Sequence, residues 1–275
     1  MKGDLHCHTK ISDGSMLPED VVEYAARIGL DCLAITDHDT MAGVAIATVR
    51  AENYGIRIIP GMEVSTFDYK HNKKVHILCY NPSHPQMLME LCDNTLKLRR
   101  EAAIKMINKV AKKYPVDIKT VKKYALGSTA IYKQHIAMAL TDMGYSLAIF
   151  DELYWDLFSS KKGWAYVETK LPDTREALSL IKEADGLAVL AHPGVYGNFD
   201  IIAELCGMGL DGIECFHPRQ SAADEKIAIE AACSHGLLKT GGSDFHGMFT
   251  TSVNPLAARS TPEQELISFF EHINK

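Results

Sequence analysis

The sequence lacks any apolar run approaching the roughly 18 residues that a membrane-spanning helix needs, so no membrane partner is expected. It has no basic excess either: 29 Lys and Arg stand against 35 Asp and Glu, a net charge of −6. No global positive field draws in nucleic acid, and a long nucleic acid is not an expected partner. A small phosphorylated substrate remains open, because bound cations supply local positive charge that a formal count omits. The one G-x-G-x-x-G spacing, Gly207 to Gly212, runs into an expected strand instead of following a strand and opening a helix, and no G-x-x-x-x-G-K-[ST] loop occurs, so nothing supports a nucleotide-cradling open sheet. There is no C-x-x-C pair. The seven cysteines, at positions 7, 32, 79, 92, 206, 215 and 233, mostly sit inside apolar runs. They read as buried free thiols in a reducing compartment, not as a disulfide framework. Met1-Lys2 leads straight into strand-like residues with no signal-peptide pattern, and the expected location is cytoplasmic.

What is present is a 275-residue chain, 47% hydrophobic and 23% charged, enough for one large domain or one domain with an insertion. Short apolar runs at 4–8, 32–36, 57–64, 75–80, 187–191, 212–216 and 238–241 predict strands. Helix-periodic stretches lie between them. Pro18-Glu19-Asp20 suits a first helical turn and Gly29 its stop. Repeated βα units imply a mostly parallel sheet with helices outside, and about seven can close into a barrel whose reactive groups collect at strand C-termini. From about 84 to 185 the rhythm breaks into helices, with one long helix over 88–113. The division expected is a barrel of residues 1–113 and 163–275, with 114–162 as an inserted helical cap over its open end.

The chemistry starts at His6-Cys7-His8. On a strand, residues two apart face the same way, so both imidazoles point together and form a chelating pair. Asp13 follows in a Ser-Asp-Gly turn. Further strand ends repeat the theme: Asp37-His38-Asp39, Glu63, His192, and Asp244-Phe245-His246. Charged groups buried at so many strand ends are costly unless a shared metal site takes them up. His76 stands at the start of its apolar run, so either its strand runs opposite to the others or it binds from lower in the barrel. The ligand candidates are His6, His8, Asp13, His38, Glu63, His76, His192, Asp244 and His246. They are too many for one ion with about four ligands and suit two or three. Mixed N and O donors without thiolates admit Mn, Fe or Zn.

These motifs resemble, in content and in order, those of the polymerase-and-histidinol-phosphatase (PHP) family, across residues 4–247. The resemblance implies an α/β fold, a distorted seven-stranded βα barrel. It also implies three ligand sets: His6, His8, Glu63 and Asp244; Glu63, His76 and His192; and Asp13, His38 and His246. Within the family, Asn81-Pro82-Ser83-His84-Pro85, the Arg99-Arg100 helix and Asp211-Gly212-Ile213-Glu214 are similar to stand-alone phosphoesterases of nucleotides and sugar phosphates. That subgroup's inserted domain often grips phosphate with Arg-x-His-x-Ala-Arg. Here the stretch reads Lys133-Gln134-His135-Ile136-Ala137-Met138. It keeps His135, but Lys133 is a point charge without the fork of Arg.

The implied function is hydrolysis of a small nucleotide or ribose phosphate ester by in-line attack of a metal-activated hydroxide. An AMP-like or 3′,5′-bisphosphate and a ribose 1,2-cyclic phosphate are the substrates in view. Asp244 and His192 sit at the reaction centre, with His135, Lys133 and one of Arg99 and Arg100 on the substrate; adjacent arginines cannot share a helix face. Asp39 and His217 either move a proton to the leaving oxygen or orient ligands. The alternatives are a histidinol-phosphate phosphatase and, in another class, a non-catalytic metal-holding regulatory protein. Oligomeric state is not legible.

Overall fold

The computed structural model describes residues 1–251 and 253–273. Seven strands form one sheet in sequence order: β1 (Gly3–Asp4), β2 (Cys32–Ile35), β3 (Arg57–Asp68), β4 (Lys73–Tyr80), β5 (Leu187–Leu190), β6 (Gly212–Phe216) and β7 (Leu238–Gly241). The short strands β2 and β5 are buried throughout, as parallel strands covered on both faces must be. Neighbours pair in parallel except around β4, which is antiparallel to both β3 and β5. The reversal settles the position of His76. A start-of-strand residue on a reversed strand lies at the same barrel end as the C-termini of the others.

Beyond β7 the chain returns to the first strand. The amide of Leu5 donates to the Gly241 carbonyl (3.2 Å), that of Asp244 to His6 (2.9 Å) and that of His8 to Phe245 (2.9 Å), which nearly closes the barrel. Gly242 permits the approach: a Cβ there would lie 2.4 Å from the His6 backbone nitrogen. These bonds also explain why the expected strand at 4–8 is regular only over Gly3–Asp4. From Leu5 to His8 the backbone alternates between partners, with the Cys7 amide donating to Thr36 Oγ1 (3.0 Å), so no continuous ladder forms. β3 runs past the expected end at 64, because residues 65–68 pair with 73–76 in a hairpin.

The far end of the barrel is plugged by the helix Glu263–Ile273, whose Leu266, Phe269 and Phe270 pack with Leu5, Leu78, Tyr80 and Val189. The helix Pro18–Arg27 has Pro in its first turn and acids at its positive end, and Gly29 follows in the left-handed region (φ 73°). The long helix Gln86–Val110 leads into three short ones, Ile118–Tyr124, Lys133–Asp142 and Glu152–Phe158. These share a separate apolar cluster that includes Leu140, Leu157 and Phe158. It also recruits Ala103, Met106 and Ile107 from the long helix and Ala165 beyond. Among the described residues no helix is long and apolar enough to cross a membrane.

At the hairpin end, the Asp68 carboxylate accepts from the amides of Lys70 and His71, from His71 Nδ1 (2.8 Å) and from Arg175 (3.1 Å). Burial pushes its pKa up, but the Arg175 and His71 hydrogen bonds win and bring it from 3.8 to about 2. A carboxylate held below its unfolded value stabilises the fold above that value and loses the effect as pH falls through the folded one. Melting curves should therefore show Asp68→Asn less stable than the parent at neutral pH, with the gap narrowing between pH 4 and pH 2. A gap independent of pH would show that the ion pairing contributes nothing.

Candidate metal centre

Every strand-end acid and imidazole singled out in the sequence arrives at one barrel end. The Glu63 carboxylate is the hub. It lies within hydrogen-bond or ion-pair reach of His6 (3.5 Å), His8 (3.2 Å), His38 (3.0 Å), His76 (2.6 Å) and His192 (2.9 Å). Asp244 Oδ1 faces His8 (3.2 Å), His6 (3.5 Å) and His246 (3.5 Å). Asp13 lies 3.2 Å from His246, 3.7 Å from His8 and 3.8 Å from His38. His6 and His8 approach to 3.1 Å through their Nε2 atoms, as same-face neighbours should, while Cys7 packs away from them with Val21, Leu33 and Phe245.

Three non-glycine residues at this end have left-handed backbones: Asp39 (φ 56°), His192 (φ 28°) and Asp244 (φ 51°). Each such residue costs about 1–3 kcal/mol and persists only where the surroundings impose it. Here the sharp turns aim the side chains into the pocket.

Outer partners fix the orientation of the inner ones. Glu214 receives His6 Nδ1 (2.9 Å) and the His192 amide (2.8 Å), which turns His6 Nε2 towards the pocket. The Arg219 amide donates to His217 Nδ1 (3.1 Å), so His217 carries its proton on Nε2 and donates to Asp244 Oδ2 (3.2 Å). Asp37 accepts from the Thr9 amide, the Thr9 hydroxyl and Ser12, and so holds the loop that bears Asp13. Asp39 is held by Arg99 (2.8 Å) and the Ser65 amide (2.8 Å).

The electrostatics are those of a cation trap. Burial opposes charge on every member, yet the surrounding imidazoles hold Glu63, Asp13 and Asp244 well below the ordinary carboxylate range. Against the same burial, the carboxylates raise His6 well above its usual value and His8 to about 10. Burial prevails at His38, at His192 and at His76, which falls to about 3. Among the described residues, four groups have ligand atoms within 4.8 Å of one another: His8, Asp13, His38 and His246; His6, His8 and Asp244; His6, Glu63 and His192; and His38, Glu63 and His76. His8 Nδ1 is buried without a hydrogen-bond partner and faces Asp13. That orphan, with an all N/O donor set, fits divalent cations.

The residues expected to meet substrate divide. Arg99 reaches the pocket edge and lies over the Tyr132 ring (4.9 Å). Arg100 is not brought there: it leaves the helix on another face, exposed, and donates to the Thr129 carbonyl (2.6 Å). His135 is buried beside Tyr132, and Lys133 lies against Tyr166 (5.6 Å). Reading by motif passed over Glu214, Tyr132, Gln134 and Tyr196 as members of the site. Glu214 left one signal, an acid inside the apolar strand 212–216. Tyr132 packs on His38 (6.3 Å) and Tyr196 sits edge-on to His76 and His192 (5.3 and 5.2 Å), but no local pattern sets either apart.

Comparison with known proteins bears on this geometry. The PHP domain matches residues 4–232. The chain belongs to the PHP domain family. It is 39% identical over 248 residues to a phosphoribosyl 1,2-cyclic phosphate 1,2-diphosphodiesterase of Eggerthella lenta, covering 90% of this chain and 94% of that one. It is 31% identical to the 5′-3′ exoribonuclease Rnm of Escherichia coli, covering 88% of this chain and 84% of that one. A solved structure of a candidate metal-dependent phosphoesterase from Bifidobacterium adolescentis superposes with a TM-score of 0.89 at 29% identity, covering 97% and 94% of the two chains. The PHP chain described here is by these relations a metal-dependent phosphoesterase with the family's barrel.

Because Glu63 touches five imidazoles, its charge decides how much cation the pocket retains. Glu63→Gln should fold, by circular dichroism, yet retain at least one equivalent less of Mn²⁺ or Zn²⁺ by elemental analysis after dialysis. Parental cation content in that variant would remove Glu63 from the ligand set.

Proposed function

We propose that this PHP enzyme hydrolyses a small ribose phosphate or nucleotide ester, with a cyclic ribose phosphate or a 3′,5′-bisphosphate as substrate. The observation that carries the reading is a buried donor with no acceptor. The Tyr132 amide donates to His135 Nδ1 (3.1 Å), so the ring proton sits on Nε2. That atom is buried and has no hydrogen-bond partner. Burial lowers the His135 pKa to about 4, so the ring is neutral at working pH and donates through Nε2 alone. An unpaired donor in a dry place costs about 1–3 kcal/mol, and a phosphate oxygen relieves it. Nearby, burial and then Lys74 and Arg99 lower the Lys133 pKa to about 8, against the opposing pull of Asp13. The buried Tyr132 hydroxyl also lacks a partner.

We assign the ligands of two or three ions as three sets: His6, His8, Glu63 and Asp244; Glu63, His76 and His192; and Asp13, His38 and His246, with His8 close to the last. Those residues would hold divalent Mn, Fe or Zn, which when bound would supply a lowered pKa for water and neutralisation of phosphate oxygens. The chain's own groups do the remaining work. His135 and Lys133 grip the phosphate, with Arg99 at the edge offsetting its charge. Glu214 and His217 hold His6, His192 and Asp244 in register, and the protonated Nε2 of His217 makes it an orienting group. Asp39, bound by Arg99 and Ser65, orients rather than shuttles a proton. The helices of 114–162 form the cap that presents His135. Seven unpaired cysteines support a cytoplasmic enzyme.

Turnover with Mn²⁺, followed by phosphorus NMR so that ring opening and phosphate release are seen separately, tests the substrate class. A phosphorylated ribose 1,2-cyclic phosphate or a 3′,5′-bisphosphate should be at least tenfold better than histidinol phosphate or a 5′-phosphorylated RNA. Preference for either of the latter overturns the reading. Loss of one hydrogen bond to a charged group is worth about 1.5–3 kcal/mol. His135→Ala should thus lower kcat/KM roughly 10- to 100-fold with cation content unchanged, and Asp244→Asn should abolish turnover in a folded protein.

A further inference from the structure

The loop that carries Asp13 is not held by the barrel alone. The segment before the helix Lys133–Asp142 is stitched to it. Ser128 Oγ donates to the Ser12 carbonyl (2.5 Å), and both the amide and the hydroxyl of Thr129 donate to the Ile11 carbonyl (2.8 and 3.0 Å). In the first turn of that helix, Gln134 Nε2 donates to Asp13 Oδ2 (2.9 Å). The other carboxylate oxygen of Asp13, Oδ1, faces His246 (3.2 Å) and His8 (3.7 Å). Fixing Oδ2 therefore fixes the rotamer that aims Oδ1 at the imidazoles. The turn that holds Asp13 is also the turn that carries Lys133 and His135.

We propose that Gln134 is a positioning residue for Asp13, and that through it the first turn of this helix couples phosphate binding at His135 and Lys133 to retention of a divalent cation by His8, Asp13, His38 and His246. The inference rests on the reading of those four residues as a cation site. Its physical basis is linkage. One rigid turn contacts both ligands, so an anion that seats the turn against the pocket also seats Asp13, and the two affinities rise by the same factor. A hydrogen bond that only trimmed the surface would leave cation affinity alone. Partners that orient a metal ligand commonly change affinity by about 10- to 100-fold when removed.

The test uses the full chain, stripped of cations by chelation and titrated with Mn²⁺ alone or with inorganic phosphate, counting bound Mn²⁺ by electron paramagnetic resonance. The parent should bind more than one class of ion, and phosphate should tighten the weakest. Gln134→Met keeps the length and loses the donor. It should weaken one class by about tenfold or more, leave the others unchanged, and reduce the phosphate effect on that class. Asp13→Asn marks which class is meant. If Gln134→Met melts early, Gln134→Ala at the same half-buried position makes the same comparison. Unchanged Mn²⁺ affinity, or an equal phosphate effect in parent and variant, overturns the coupling while the cation site stands. A parent that binds no Mn²⁺ overturns both.

Discussion

Burying Glu63, Asp13 and Asp244 beside six buried imidazoles is the constraint on which the rest of this molecule depends. In a dry interior an unpaired carboxylate is prohibitively costly, and a cluster of acids repels itself. The arrangement is tolerable because each carboxylate oxygen faces nitrogen, and because the acids favour positive charge strongly enough to raise His6, His8 and His246 against burial. Divalent cations can replace protons there with a charge that stays where the reaction needs it.

Much of the barrel's irregularity serves that cluster. β4 runs against its neighbours, which brings His76 opposite Ser65 in the β3 ladder and onto Glu63. The interrupted pairing after β1 lets His6 and His8 project from a backbone clamped on both sides, by β2 and by the return from β7. Left-handed turns at Asp39, His192 and Asp244 concentrate strain at the strand ends, where the outer groups Glu214, Asp37 and His217 hold the geometry. The helix Lys133–Asp142 and the residue before it meet the cluster through Gln134 on Asp13 and Tyr132 on His38.

The convergence of the candidate ligands was legible because they fall in short motifs at strand ends, where period-two alternation already implies a common direction. The groups that hold the ligands were less so. Glu214 comes from a strand with no other polar group beside it, and meets His6 only because the chain after β7 closes the barrel onto residues 5–8. Tyr132, Gln134 and Tyr196 belong to segments whose local pattern is that of ordinary helices. Arg99 and Arg100 show the useful limit of local geometry: adjacency on a helix says that they part company, and only the packed helix says which one faces the pocket.

By itself, then, the sequence determined the barrel class, the candidate metal-ligating side chains that meet at one barrel end and the family, because these are written in spacing and residue type that any chain must satisfy locally. Tertiary structure alone decided the direction of β4, the pairing of each imidazole with its carboxylate, and the contact of Gln134 with Asp13. Those depend on where distant segments meet when the sheet curls round, and no window along the chain contains both partners.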